Sequence, residues 1–144
     1  MEILPMGKVI VPAKIENLGD VFGKEKGAVA DDQVRRVEVS DALIDAGATM
    51  LSMPKRLIAQ LGLQPFRVRR ARTSAGTIDM QVYRAVRLTV QGRDCITDVS
   101  ELPDECPVLI GQVPLELLDF VVDPAGQRLI GNPEHGGEQM IEIY

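Results

Sequence analysis

Short runs of Val, Ile and Leu recur along this chain, each closed by Gly, Pro, Asp or Asn. That punctuation constrains the fold more than any other feature. β-Branched runs of this length between turn signals read as strands, so the chain reads as mostly β. Aromatic residues are scarce, at 3%, and Trp is absent.

Residues 8–15 read as a first strand, with Pro12 marking an edge or a bulge. Residues 17–33 are polar and Gly-rich and read as a long, partly irregular excursion. Residues 34–39 read as a strand, and after Ser40-Asp41 the apolar run Ala42-Leu43-Ile44 ends in Asp45. Residues 53–61 have helical spacing, with Leu57, Ile58 and Leu61 on one face. Pro54 suits the first turn of that helix, Ser52 its cap and Gly62 its stop. Residues 66–73 and 78–90 read as strands joined by the hairpin turn Ser74-Ala75-Gly76. A strand over 94–100, a buried strand over 108–111, a short helix over 114–118 and a last hairpin over 120–130 complete the chain.

The 144 residues fit one domain spanning 1–144, long enough to bury a core without disulfides or metals. The net charge of −5 argues against a nucleic-acid partner, whose binding sites are basic. No run approaches the ~18 apolar residues of a membrane span, so no membrane contact is expected. The first residues lack a basic, apolar leader, and a cytoplasmic location follows as the expectation. Cys95 and Cys106 then read as reduced, small buried residues, with no C-x-x-C motif or metal set around them. Met50 and Met53 read as core or interface filler, and His135, in the polar turn 132–137, as a surface residue. Arg67, Arg69, Arg70 and Arg72 lead into the hairpin. They read as its solvated face rather than as a selector of acidic substrate or a nucleic-acid contact, since no aromatics interleave for base stacking.

Asp45 carries the sharpest chemical signal. A carboxylate directly after three apolar residues is partly desolvated and costly to leave without a role. Gly47 allows the tight turn that presents it. Spacing alone leaves two readings open: a turn cap at a strand end, or a reactive group. The segment Leu43-Ile44-Asp45-Ala46-Gly47-Ala48-Thr49 resembles the active-site loop of the retropepsin-like aspartic proteases, where two apolar residues precede Asp-Thr/Ser-Gly-Ala. In the same order, Ser74, Ala75 and Gly76 fall where that family has its flap. Val108-Leu109-Ile110-Gly111 matches the apolar-apolar-Gly segment beside the active-site loop. Pro54 to Leu57 and Leu61-Gly62-Leu63 resemble the bacterial single-domain members.

The resemblance implies a retropepsin-like closed β-barrel with one or two short helices, and aspartic endopeptidase activity on an extended polypeptide. Asp45 is then catalytic, Ala46, Gly47 and Ala48 shape its loop, and no metal or organic cofactor is implied. Two carboxylates sharing a proton are needed, because like charges so close cannot both ionise easily. Asp104, Asp119 and Asp123 lack a glycine two residues on. The second acid must therefore come from another copy in a homodimer. Residues 1–4 and 140–144 alternate apolar and polar. They resemble the interleaved termini of that family's dimers and equally suit two frayed edge strands. Three departures stand out. Ala46 replaces the Thr or Ser whose hydroxyl bonds across the dyad, a loss of roughly 1 kcal/mol or more per bond. Gln112-Val113 follows Gly111 where retroviral members carry Arg, and the flap tip holds a single glycine. The alternative implied by Ala46 is a non-catalytic or impaired peptide-binding module. A structural β domain with an accidental motif is the third reading.

Overall fold

The computed structural model describes residues 8–143. β1 (Val9–Asn17) alternates as a half-buried strand should, with Val9, Val11, Ala13 and Ile15 turned inward. Its antiparallel register with β2 (Arg36–Ile44) shifts between Val11 and Ala13. Pro12, which has no amide hydrogen to give a ladder, lies at that bulge as its position implies. β2 extends past the expected 34–39 and takes in the apolar run before Asp45, because Val9 and Ile10 pair with Ile44 and Leu43.

The excursion 17–33 is more ordered than its composition suggests. It contains α1 (Leu18–Glu25) and a 3-10 turn, Asp31–Gln33. Two glycines make α1 intrinsically weak, but its N-terminus is capped and anchored. The Asn17 carboxamide oxygen accepts from Asp20 N at 3.0 Å while its nitrogen donates to the Leu61 carbonyl at 2.8 Å.

β3 (Leu51–Pro54) precedes α2 (Lys55–Leu61), so the helix begins two residues later than its spacing predicts. Ser52 is therefore a buried strand residue and not a cap, and Pro54 takes the cap position without a side-chain bond. The Arg56 amide instead donates to Asp104 Oδ1 at 2.8 Å, a cap reached from 48 residues away. Gly62 ends α2 at φ +62°, as the helix stop requires.

β4 (Gln64–Thr73) and β5 (Gly76–Val90) form the long hairpin, turning at Ser74-Ala75. β5 pairs on with β6 (Arg93–Leu102). The two-residue β7 (Leu109–Ile110) is parallel to β2 and antiparallel to β3. α3 (Gln112–Leu118) and the hairpin of β8 (Phe120–Asp123) and β9 (Arg128–Gly131) follow. The large sheet runs β1-β2-β7-β3-β6-β5, and β5 also pairs with β1. Six strands thus close into a ring, with β4 outside it on β5 alone. This mostly β architecture is compatible with the acid protease fold, although three short α helices stand where one or two were expected.

Aliphatic side chains fill the ring, among them Ile15, Leu51, Met53, Leu88 and Ile110, all fully buried. Met53 is thus core, as its apolar setting implies. No helix among the described residues is long and apolar enough to cross a membrane. Residues 1–4 and Tyr144 lie outside the described residues, and 140–143 form no strand in the single chain.

Candidate active site

Asp45 is the first residue after β2, and neighbouring backbone fixes its place. Its amide donates to the Ile110 carbonyl at 2.9 Å, and Leu43 N donates to Val108 O at 2.8 Å. The two bonds hold β7 alongside the approach to the aspartate. The chain then turns at once, with Ala48 N donating to Asp45 O at 3.0 Å. Asp45 is half-buried, while Ala46 and Gly47 are exposed. Its Oδ1 accepts from Gly47 N at 3.0 Å, and no cation pairs with the carboxylate among the described residues. Within one chain the aspartate therefore does cap its own turn, and its Oδ2 has no partner among the described residues.

The loop is locked from its far side as well. Gly111 N, Gln112 N and Val113 N donate to the carbonyls of Met50, Ala48 and Thr49 at 3.0, 2.8 and 2.9 Å. These loop carbonyls satisfy amides that the start of α3 would otherwise leave orphaned. Gly111 makes the approach possible. A Cβ there would stand 2.5 Å from Met50 O and 2.7 Å from Ala48 O, both backbone atoms. Leu109-Ile110-Gly111 thus lies against the Asp45 loop, as the family resemblance implies.

Beside the loop lies a cavity of about 400 Å³. Gly47, Ala48, Thr49 and Met50 form one wall, and Arg69, Ala71, Met80 and Val82 of the β4–β5 hairpin form the other. Ser52 and Ser100, paired in register on β3 and β6, also line it, and Ser100 Oγ donates to Met50 Sδ at 3.3 Å. The tip residues Ser74, Ala75 and Gly76 are exposed and do not line the cavity. The hairpin stem does so instead. Thr73 steadies the tip, its hydroxyl donating to Gly76 O and accepting from Ala75 N.

Met80, Val82 and Ser100 were not singled out from the sequence. The register could have found the first two: counting outward from a two-residue turn at Ser74-Ala75 places Met80 opposite Arg69. Ser100 has no local signal, since β6 is brought beside the loop by its pairing with β3.

His135 is not the free surface residue its polar turn suggests. Its Nδ1 lies 2.6 Å from Asp119 Oδ2 and its Nε2 lies 2.9 Å from Glu142 Oε2. Asp119 is buried and also accepts from Asn132 and from the Met140 amide. Hydrogen bonds from its ring to the carboxylates of Glu142 and Asp119 raise the His135 pKa, and the same histidine lowers that of Asp119. Cys95 is largely withdrawn from solvent, and burial, with Asp94 adding to it, pushes its thiol up to about 11. It is therefore an unreactive packing residue. Among the described residues no group of three or more His, Cys, Asp or Glu side chains is arranged to hold a metal ion.

A half-buried acid at a strand-to-loop turn, buttressed by a threaded apolar-apolar-Gly strand and set beside a cavity walled by a hairpin, is an arrangement compatible with the acid protease fold. In agreement, a model of the aspartyl protease family matches residues 29–113, more than half the chain, and the chain belongs to that family. The matched span contains the Asp45 loop, the hairpin and β7. Comparison with curated proteins returns no match.

Proposed function

We propose that the protein is an aspartic endopeptidase that works as a homodimer, with one Asp45 from each subunit forming the catalytic pair. The observation that carries this reading is the placement of Asp45. It stands without a cationic partner among the described residues, two positions before Gly47, where its rigid loop begins to wall the cavity that the β4–β5 hairpin closes from the other side. A single chain supplies one such acid, and peptide hydrolysis by this route needs two.

In the proposed reaction the ionised Asp45 takes a proton from water as the oxygen attacks the scissile carbonyl carbon. The protonated Asp45 of the other subunit gives its proton to the carbonyl oxygen. Collapse of the resulting diol breaks the C–N bond, and the amine leaves with the proton held by the first carboxylate. The substrate lies extended, bonding through its main chain, with alternate side chains facing the hairpin. Closure of the tip, Ser74 to Gly76, over the bound peptide excludes water.

The second reading, a peptide-binding module with little turnover, rests on Ala46. This residue is exposed and offers no hydroxyl to a partner loop. Cleavage of an unfolded protein from mildly acidic to neutral pH separates the two. Asp45→Asn should lower the rate by about a thousandfold. Ala46→Thr should raise it several-fold, by adding bonds of about 1 kcal/mol each. Undiminished cleavage by Asp45→Asn would remove the mechanism, and so would a strictly monomeric mass in solution. Activity confined to Ala46→Thr would favour the binding module.

A further inference from the structure

The charges around the cavity are one-sided. Arg69, Arg70 and Arg72 line it, and no lining residue is acidic, although the chain as a whole carries a net charge of −5. The arginines of the hairpin are not equivalent. Arg67 and Arg84 are engaged with Phe66, their guanidiniums 4.2 and 3.8 Å from the ring centroid. Arg70 reaches Asp79 at 3.5 Å across the hairpin. Arg69 and Arg72 pair with no carboxylate among the described residues.

Register separates these last two. In an antiparallel pair, opposed residues share a face. Arg69 pairs with Met80, and two residues further along each strand Arg67 pairs with Val82. Met80 and Val82 both line the cavity, so Arg69 is on the cavity face. Arg70 and Arg72 alternate to the other face with Asp79 and Thr77 and reach the cavity from its edge. An extended peptide bound there presents every second side chain to the hairpin. The first charged group such a side chain meets is the unpaired guanidinium of Arg69, whose planar fork suits a carboxylate.

We infer that Arg69, supported by Arg72, selects polypeptides that carry Asp or Glu on the face turned toward the β4–β5 hairpin. The inference rests on the reading of this cavity as a peptide groove, whether or not the bound peptide is cleaved. A nucleic acid would meet the same cations, but Phe66 is already stacked by Arg67 and Arg84 and offers no free platform for a base.

The test uses three synthetic peptides with one shared apolar centre, flanked by Glu, by Gln or by Lys. Binding is read by fluorescence anisotropy on the full-length Asp45→Asn protein, and cleavage is read on the protein with Asp45 intact. The Glu peptide should bind about tenfold more tightly than the Gln peptide, and the Lys peptide should bind more weakly than both. Raising salt from about 0.05 to about 0.5 M should shrink the Glu preference. Arg69→Gln should bring the Glu-to-Gln ratio close to one, while Arg69→Lys should retain part of it. Equal binding of Glu and Gln peptides overturns the inference, as does a ratio unaltered in Arg69→Gln protein with a native circular dichroism spectrum. Displacement of the Glu peptide by a short oligothymidylate at lower concentration than by free Glu peptide also overturns it, in favour of a nucleic-acid groove. An Arg69-dependent Glu preference without cleavage of any peptide leaves the inference standing and defeats the peptidase reading instead.

Discussion

His135 shows how one side chain can tie down a segment that has no secondary structure. Its ring bridges buried Asp119 and exposed Glu142, and the Met140 amide donates to the same Asp119 carboxylate at 3.0 Å. Arg93 adds bonds to the carbonyls of Leu118, Asp119 and Gly137. The pKa shifts give this clasp a defined pH window. His135 is raised, so its contribution is complete below the ordinary histidine value of about 6.5 and fades as pH climbs through the higher folded value. Asp119 is lowered, so its contribution is complete above the ordinary aspartate value of about 3.9 and fades as pH falls through the lower folded value. Hydrogen-exchange protection at Met140 should therefore be greatest between about pH 4 and 6.5 and decline toward pH 9. His135→Gln should flatten that alkaline decline. A protection factor constant from pH 5 to 9 in the unaltered protein would show that the imidazole does not hold the segment.

At the scale of elements, the loop 45–50 matters because of what holds it. A two-residue strand has little stability of its own, yet β7 sits between β2 and β3 and carries the amide and carbonyl groups that fix both ends of the loop. Gly111 is the point of closest approach. Gly111→Ala forces a methyl group onto two carbonyl oxygens that belong to backbone and cannot rotate away. The variant should lose about 1–3 kcal/mol, measured as a lower urea midpoint at unchanged slope. If the loop and α3 separate to admit the methyl, Asp45 moves with them, and any activity should fall by more than the loss of folded protein explains. A variant of full stability would mean that the loop does not pack on Gly111.

The whole molecule depends on closing the ring at β1 and β5, where Glu16 is placed. It is buried, and its direct register partners are Arg36 on β2 and Arg87 on β5. Oε1 accepts from Arg87 at 2.8 and 3.0 Å, and Oε2 accepts from Arg36 at 3.1 Å. Burial alone would raise the Glu16 pKa. The bonds from Arg87 and Arg36 outweigh it and leave the carboxyl below its usual range. Its stabilisation is therefore present above the ordinary glutamate value and is lost as pH falls through the lowered one. Glu16→Ala strands two arginines at the seam and should cost about 3 kcal/mol, toward the low end for a buried pair because both guanidiniums reach solvent. Chemical denaturation at pH 7 measures it, and a loss below about 0.5 kcal/mol would show that the seam closes by backbone pairing alone.

Much of this architecture is legible in the residue order because it is local. Strand runs, the bulge at Pro12, the hairpin turn, the helix stop at Gly62 and the exposed turn after Asp45 each follow from a few adjacent side chains. The resemblance to the aspartic proteases even implies that Leu109-Ile110-Gly111 lies beside the Asp45 loop, a contact over more than sixty residues. What escaped is of another kind. Helix α1 exists because Asn17 reaches Leu61, α2 is capped by Asp104, and His135 is clasped by an acid sixteen residues away. Arg69 faces a cavity only because the hairpin folds against a loop from a different part of the chain. Each of these depends on groups brought together by the closed ring, and side-chain chemistry read along a line carries no record of which distant partner the ring will supply.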